Sequence, residues 1–363
     1  MDIARATSSY EAWLAGRLPL IEGDLREKHR LMKQTPFAFF RGTFYRWAQS
    51  FPTTCQRLMH APTVLAVGDL HVSNFGTWRD SAGHLVWGIN DFDEACRIPY
   101  ASDLVRLAVS AILASREAQT KISPESICSG LLDGYERGML SRGNPFLLGL
   151  GGEQVPKLVE RHLKSKKHFW AKLHHLPPVT EAVPQQVLRA LRQALPQKGM
   201  DFRVVHRISG LGSLGRRRFT ALAHGDDGPL ARESKELAPS AWVWANGGKE
   251  AIAVARLFKT AVRAADPHLR IGGGWVTRAL GPDRSRIEWE ELPNSEARLQ
   301  LLLAMGWETA NVHLGSGKRA QILSDSTLRR RNWLERAALE MTDAVVDDWR
   351  DWRQKKKAAG AGR

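Results

Sequence analysis

Two short strings constrain this chain more than anything else in it: Gly68-Asp69-Leu70-His71-Val72-Ser73-Asn74 and Asn90-Asp91-Phe92-Asp93-Glu94. Each follows a short apolar run of strand type, Val64–Val67 before the first and His84–Ile89 before the second. Asp69, Asn74 and Asp91 therefore stand at the ends of two short strands. Turn formers fill Thr77–Gly83, which could close a hairpin. Downstream, Ser102 or Asp103 is placed to cap a helix whose apolar positions include Leu104, Leu107, Ala108 and Ile112.

An Asp, an Asn and a second Asp so spaced are the set that phosphoryl transfer from ATP needs. One carboxylate orients the attacking hydroxyl and takes its proton; an amide oxygen and another carboxylate hold Mg²⁺ on the phosphates. A second segment points the same way. Gly210-Leu211-Gly212-Ser213-Leu214-Gly215 is followed by a short extended run, a strong turn at His224–Gly228 and another extended run to Leu237. A dinucleotide fold would need a helix directly after the glycines. The order strand, Gly-rich turn, strand, turn, strand instead suits a kinase nucleotide lobe, with Gly210, Gly212, Ser213 and Gly215 over the phosphates and Lys235 reaching them from the third strand. Glycines serving a plain hairpin turn are the simpler alternative.

Asp69-x-His71-x-x-Asn74, Asp91-Phe92-Asp93 and Pro99-x-x-x-Asp103-Leu104 together resemble the catalytic core of small-molecule phosphotransferases of the protein-kinase-like superfamily, such as aminoglycoside and choline kinases. The chain resembles more closely the bacterial domain of unknown function 2252 family, through Phe40-Arg41-Gly42, Asn90–Glu94 and the later Gly-rich segment. The resemblance implies an α+β, two-lobed kinase-like fold with ATP and Mg²⁺ as cofactors. It assigns Asp69 as catalytic, Asn74, Asp91 and Asp93 as metal ligands, and a Glu on a helix after Lys235 as that lysine's partner. Glu250 is the one acidic residue between Glu236 and Asp266 and takes that place. Asp93 and Glu94 could also face the acceptor or cap the next helix, and His71 shapes its loop. Because the Gly-rich segment follows the catalytic motif, the fold is expected to be circularly permuted. Residues 1–198 then form a helical lobe with the catalytic loops. Residues 199–282 form the nucleotide lobe, and residues 283–363 return to the helical lobe, with a disordered basic tail from about residue 355.

Composition sets outer bounds. A chain of 363 residues, 43% hydrophobic and 25% charged, can bury a large core. Its three cysteines lack metal-ligand spacing, which argues for a reducing compartment, and no apolar leader or membrane-length run is present; a cytoplasmic location is the expectation. The net charge of +15 raises nucleic-acid binding, but the basic clusters at Lys164–Lys167, Arg216–Arg218 and Lys355–Lys357 are scattered and no nucleic-acid motif accompanies them. The expected partners are a nucleotide and a small hydroxyl acceptor. Two other functions compete: a metallophosphoesterase using Asp69 and His71 as metal ligands, and a nucleotide-binding regulator without turnover.

Overall fold

Helices α1 (Ile3–Ala15), α2 (Glu22–Met32), α3 (Pro36–Gly42) and α4 (Phe44–Thr54) open the chain, in a computed structural model that describes residues 1–148, 166–284 and 286–360. The aromatic stripe Phe37, Phe40, Phe44, Trp47 and Phe51 falls on α3 and α4 and is wholly buried, as its helical spacing predicts. Strand β1 (Thr63–Ala66) pairs with β4 (Cys96–Pro99), and β2 (Phe75–Arg79) forms a hairpin with β3 (Leu85–Ile89), joined at its edge by β5 (Phe146–Leu147). The turn at Asp80–His84 closes that hairpin where turn formers cluster.

Helix α5 (Tyr100–Glu117) is buried on every side from Tyr100 to Ser115. It begins at Tyr100 behind Pro99, not at a cap formed by Ser102 or Asp103. Those residues lie inside its first turn, because the Asp103 carboxylate binds other backbone groups. Around α5 pack α6 (Pro124–Ser141), α11 (Ser295–Leu314) and the long α13 (Trp333–Gly360). Between them in sequence come α7 (Lys166–His174), α8 (Gln185–Ala194), α9 (Ala241–Asn246), α10 (Val254–Thr260) and α12 (Arg319–Leu328).

The remaining strands form a five-stranded antiparallel sheet: β6 (Phe202–Val205), β7 (Arg218–Gly225), β8 (Gly228–Glu236), β10 (Trp275–Leu280) and β9 (Arg270–Gly272), in that order across the sheet. The fold is thus α+β, with helices mixed among three open sheets. Helix α13 continues to Gly360 through the segment expected to be a disordered tail, since its Gln, Lys and Ala residues favour helix. Residues 361–363, Lys164, and the side chains of Lys166, Lys167 and Lys355–Lys357 lie outside those described. Among the described residues no helix is long and apolar enough to cross a membrane.

One buried acid should make stability fall with pH. Glu308 on α11 is 2% exposed and accepts hydrogen bonds from the Ile89 amide (3.3 Å) and the Asn311 side chain (2.7 Å). Burial pushes its carboxyl up to about 7 from an ordinary 4.5. The native value is the higher one, so the fold favours the protonated form. Its contribution is full below about pH 4.5 and is lost as pH rises through about 7, a loss of about 3 kcal/mol. Glu308→Gln keeps the shape and is expected to flatten this decline between pH 5 and 8. Parallel pH profiles of denaturation midpoint in parent and variant would reject the assignment.

Candidate functional site

One stripe of α5 builds the first loop. Asp103, Arg106 and Ser110, spaced three and four residues apart, share a helix face. The Asp103 carboxylate accepts the backbone N–H groups of Val67 (2.8 Å) and Gly68 (3.0 Å). Ser110 Oγ accepts from the Val72 N–H at 3.0 Å. Arg106, with none of its surface exposed, donates Nε (3.0 Å) and Nη2 to Asp69 Oδ1. No hydrogen bond reaches Asp69 Oδ2 from the described residues, so that oxygen is left for a ligand. Burial pushes the Asp69 carboxyl up and Arg106 opposes the push. Behind Asp103, His313 donates from Nε2 to the Asp103 carboxylate (3.1 Å) and Tyr135 meets its Nδ1 (2.9 Å), a buried chain from α6 and α11 to the loop.

Asn74 closes the loop on itself. Its Oδ1 accepts the His71 N–H at 2.7 Å, and its carbonyl accepts the Asn90 N–H at 3.0 Å, which ties the first loop to the second. His71 is buried with Nδ1 unpartnered among the described residues, and burial together with Arg41 and Arg106 lowers its pKa well below the usual range, so it is neutral. After β3, Asp91 and Asp93 share Lys235 of β8, whose Nζ lies 3.4 Å from Asp91 Oδ1 and 2.6 Å from Asp93 Oδ2. Burial works to raise the Asp91 carboxyl, but Lys235, Arg278, Arg286 and Arg218 outweigh it and hold it well below the usual carboxylate range. Glu94 takes Arg216 Nη2 (2.6 Å) and the Ala241 N–H (2.7 Å).

The Gly-rich turn lies on this acidic cluster although the chain separates them widely. A Cβ on Gly212 would stand 3.0 Å from Asp69 Oδ2 and 3.2 Å from the Arg41 carbonyl, so a larger residue would push the turn and the acid apart by a few tenths of an ångström. Gly215 has φ +98°, and a Cβ there would strike Leu25 of α2. Helix α2 grips the turn from outside: Lys28 Nζ donates to the Gly212 carbonyl (3.1 Å), and the Ile21 N–H to that of Gly215 (2.8 Å). Ser213 Oγ binds the Gly210 carbonyl (3.2 Å) and accepts Arg218 Nη2 (3.1 Å).

One cavity of about 40 Å³ is lined by Asp69, Asn74, Asp91, Asp93, Gly210, Gly212 and Ser213. That is room for ordered water and not for a triphosphate. A second cavity, about 200 Å³, adjoins it through Arg286 and is lined by Thr77, Trp78, Phe258 and the end of β10 at Ala279–Gly281. Glu250 is the exception among the candidate residues. It is exposed and bonded to Arg17 of the N-terminal region (2.9 Å), and Lys235 finds its counter-ions in Asp91 and Asp93. Each arginine of the Arg216–Arg218 cluster is ion-paired within the fold, with Glu94, Glu236 and Glu233.

Several site residues escaped the motif reading: Lys28, Arg106, Arg216, Arg286 and His313. Arg106 carries a visible signal, a lone charge inside an apolar helical run, which burial makes costly unless it is paired. Among the described residues no group of three or more His, Cys, Asp or Glu side chains is arranged to hold a metal ion. The oxygens of Asp91, Asp93 and Asn74 nevertheless suit Mg²⁺. That ion takes one or two carboxylates and completes its shell with phosphates and water, and the Lys235 ammonium already neutralises the place between the two carboxylates.

The chain matches the family described as DUF2252, an uncharacterized protein conserved in bacteria, over residues 20–145 and 157–355, and belongs to it. No curated protein and no solved structure matches the chain.

Proposed function

We propose that this DUF2252 protein is a kinase-like phosphotransferase that moves the γ-phosphoryl group of ATP to a hydroxyl of a small-molecule acceptor. The observation that carries the reading is the convergence of the Gly210–Ser213 turn and Lys235 on Asp69, Asn74 and Asp91, with Lys235 and Asp91 144 positions apart in the chain. The five-stranded sheet adds support. Its Gly-rich turn joins the first two strands, its lysine stands on the third, helices follow, and two more strands complete it, as in a kinase nucleotide lobe. With that lobe after the catalytic loop in sequence, the fold is read as a permuted, two-lobed kinase. The cavity at the end of β10 is read as the nucleoside pocket.

Each residue then has a role. Asp69 Oδ2 accepts the proton of the acceptor hydroxyl as its oxygen bonds to phosphorus, and ADP leaves with the electrons of the broken bond. Arg106 holds Oδ1 and fixes the carboxylate's direction. The nucleotide enters from the larger cavity, and the Gly210–Ser213 turn must lift from Asp69 before the phosphates reach Lys235, which then exchanges carboxylates for phosphate oxygens. Asp91, Asn74 and Asp93 would hold Mg²⁺, which would neutralise charge on the phosphates. Asp91→Ala is expected to abolish the Mg²⁺-dependent part of nucleotide binding in calorimetric titrations. Unchanged Mg²⁺ dependence would move the ligand role to Asp93.

Thermal unfolding separates the competing functions. ATP with Mg²⁺ at 100 times its dissociation constant should stabilise the protein by about 2.7 kcal/mol. Stabilisation by Mn²⁺ or Zn²⁺ alone, with none from ATP and Mg²⁺, would favour the phosphoesterase. That function gains nothing from His71, whose ring has no acidic or histidine companions arranged for metal among the described residues. ATP binding without turnover on any acceptor would favour the regulator.

A further inference from the structure

The charges around Asp69 do not cancel, and the surplus is positive. Every carboxylate lining the smaller cavity already has a basic partner: Asp69 has Arg106, Asp91 and Asp93 share Lys235, and Glu94 has Arg216. Three cations lining the same cavity, Lys28, Arg41 and Arg286, have no carboxylate within salt-bridge distance among the described residues. Arg286 also lines the larger cavity, so it faces the place assigned to the nucleotide. Lys28 lines only the smaller one, with Tyr10 and Tyr45 beside it.

Lys28 is 4% exposed, and a buried ammonium without a counter-ion is costly. Among the described residues its one hydrogen bond goes to the Gly212 carbonyl, and the Tyr45 ring lies 5.9 Å from Nζ. Two of its three N–H donors have no partner among the described residues. Nearby donors are also unused: Arg41 Nε and Arg216 Nη1 are buried and have no hydrogen-bond partner among the described residues. Lys28 and these guanidinium donors face one cavity beside Asp69, and together they fit an oxyanion. The nucleotide's phosphates already have the turn and Lys235 of the five-stranded sheet, and Arg286 beyond its last strand, whereas Lys28 comes from α2, outside that sheet.

We propose that the acceptor carries, besides its hydroxyl, an oxyanion group, phosphate or carboxylate, and that Lys28 binds this group next to Asp69; the proposal rests on the phosphotransfer reading. Lys28 is then a specificity-determining residue: it selects small anionic alcohols over neutral or cationic ones.

The test uses the full chain, with inorganic phosphate and acetate as probes and ATP with Mg²⁺ titrated in parallel. Lys28→Met keeps the packing of the stem, Lys28→Gln provides a second neutral variant should Met fail to fold, and Lys28→Arg keeps the charge. At least one probe is expected to bind the parent, to bind the neutral variants at least tenfold more weakly, and to recover with Arg. Affinity for ATP and Mg²⁺ is expected to fall less than affinity for the probe, because Lys28 touches the nucleotide-covering turn only through the Gly212 carbonyl. Equal loss of probe and ATP binding would assign Lys28 to the nucleotide's own phosphates and overturn the acceptor assignment. Probe binding that is absent in the parent, or undiminished in the neutral variants, would overturn the subsite itself. Lys28-dependent probe binding without any ATP binding would leave the anion subsite standing and remove the phosphotransfer reading.

Discussion

Asp69→Asn is expected to lower phosphoryl-transfer turnover by roughly 10²–10⁴-fold, the range for a positioned general base, while nucleotide binding persists. The amide cannot take the hydroxyl proton at the position of Oδ2. It also removes the counter-ion of Arg106, which has none of its surface exposed, so the variant should unfold at a lower temperature than the parent. Turnover is best read as ATP consumption over a panel of small hydroxyl compounds, at a temperature where circular dichroism shows both proteins folded. Equal turnover in the two would take Asp69 out of the mechanism.

Glu233→Gln should produce the largest loss of stability, about 3–5 kcal/mol, as expected when one partner of a buried ion cluster is removed. Glu233 is fully buried on β8. Its Oε1 receives Arg218 (2.6 Å) and Arg278 (3.1 Å), and its Oε2 receives Arg207 (2.7 Å). Burial alone would raise this carboxyl, but the three arginines hold it well below the usual range. Because the native value is the lower one, its contribution is present above about pH 4.5 and fades as pH falls toward the native pKa. A denaturant midpoint within about 1 kcal/mol of the parent's would mean that water already shares this cluster.

What could be read from the sequence followed local pattern. The hairpin of Phe75–Ile89, the aromatic stripe and the Gly-rich turn between extended segments all carry their periodicity or turn chemistry within a dozen residues. Ion pairing does not. Glu250 was the natural partner for Lys235 by elimination, yet Lys235 meets Asp91 and Asp93, a pairing that no local pattern encodes. The start of α5 was misplaced because Asp103 looks like a cap, whereas its carboxylate holds Val67 and Gly68. Arg106 was missed although a lone charge inside an apolar helix is a local signal. Lys28 carries no such signal, because the charge-dense run Glu22–Met32 reads as a solvated face until tertiary packing buries one of its lysines.

A crystal structure of the protein with a non-hydrolysable ATP analogue and Mg²⁺ tests the central claim most directly. The account predicts the triphosphate beneath Gly210–Gly215, the metal on Asp91 and Asn74, the base against Ala279–Gly281, and Lys235 turned from Asp93 to a phosphate oxygen. A nucleotide seated away from Asp69, or one bound while Lys235 stays paired to Asp91 and Asp93 with no metal between protein and phosphates, would contradict it.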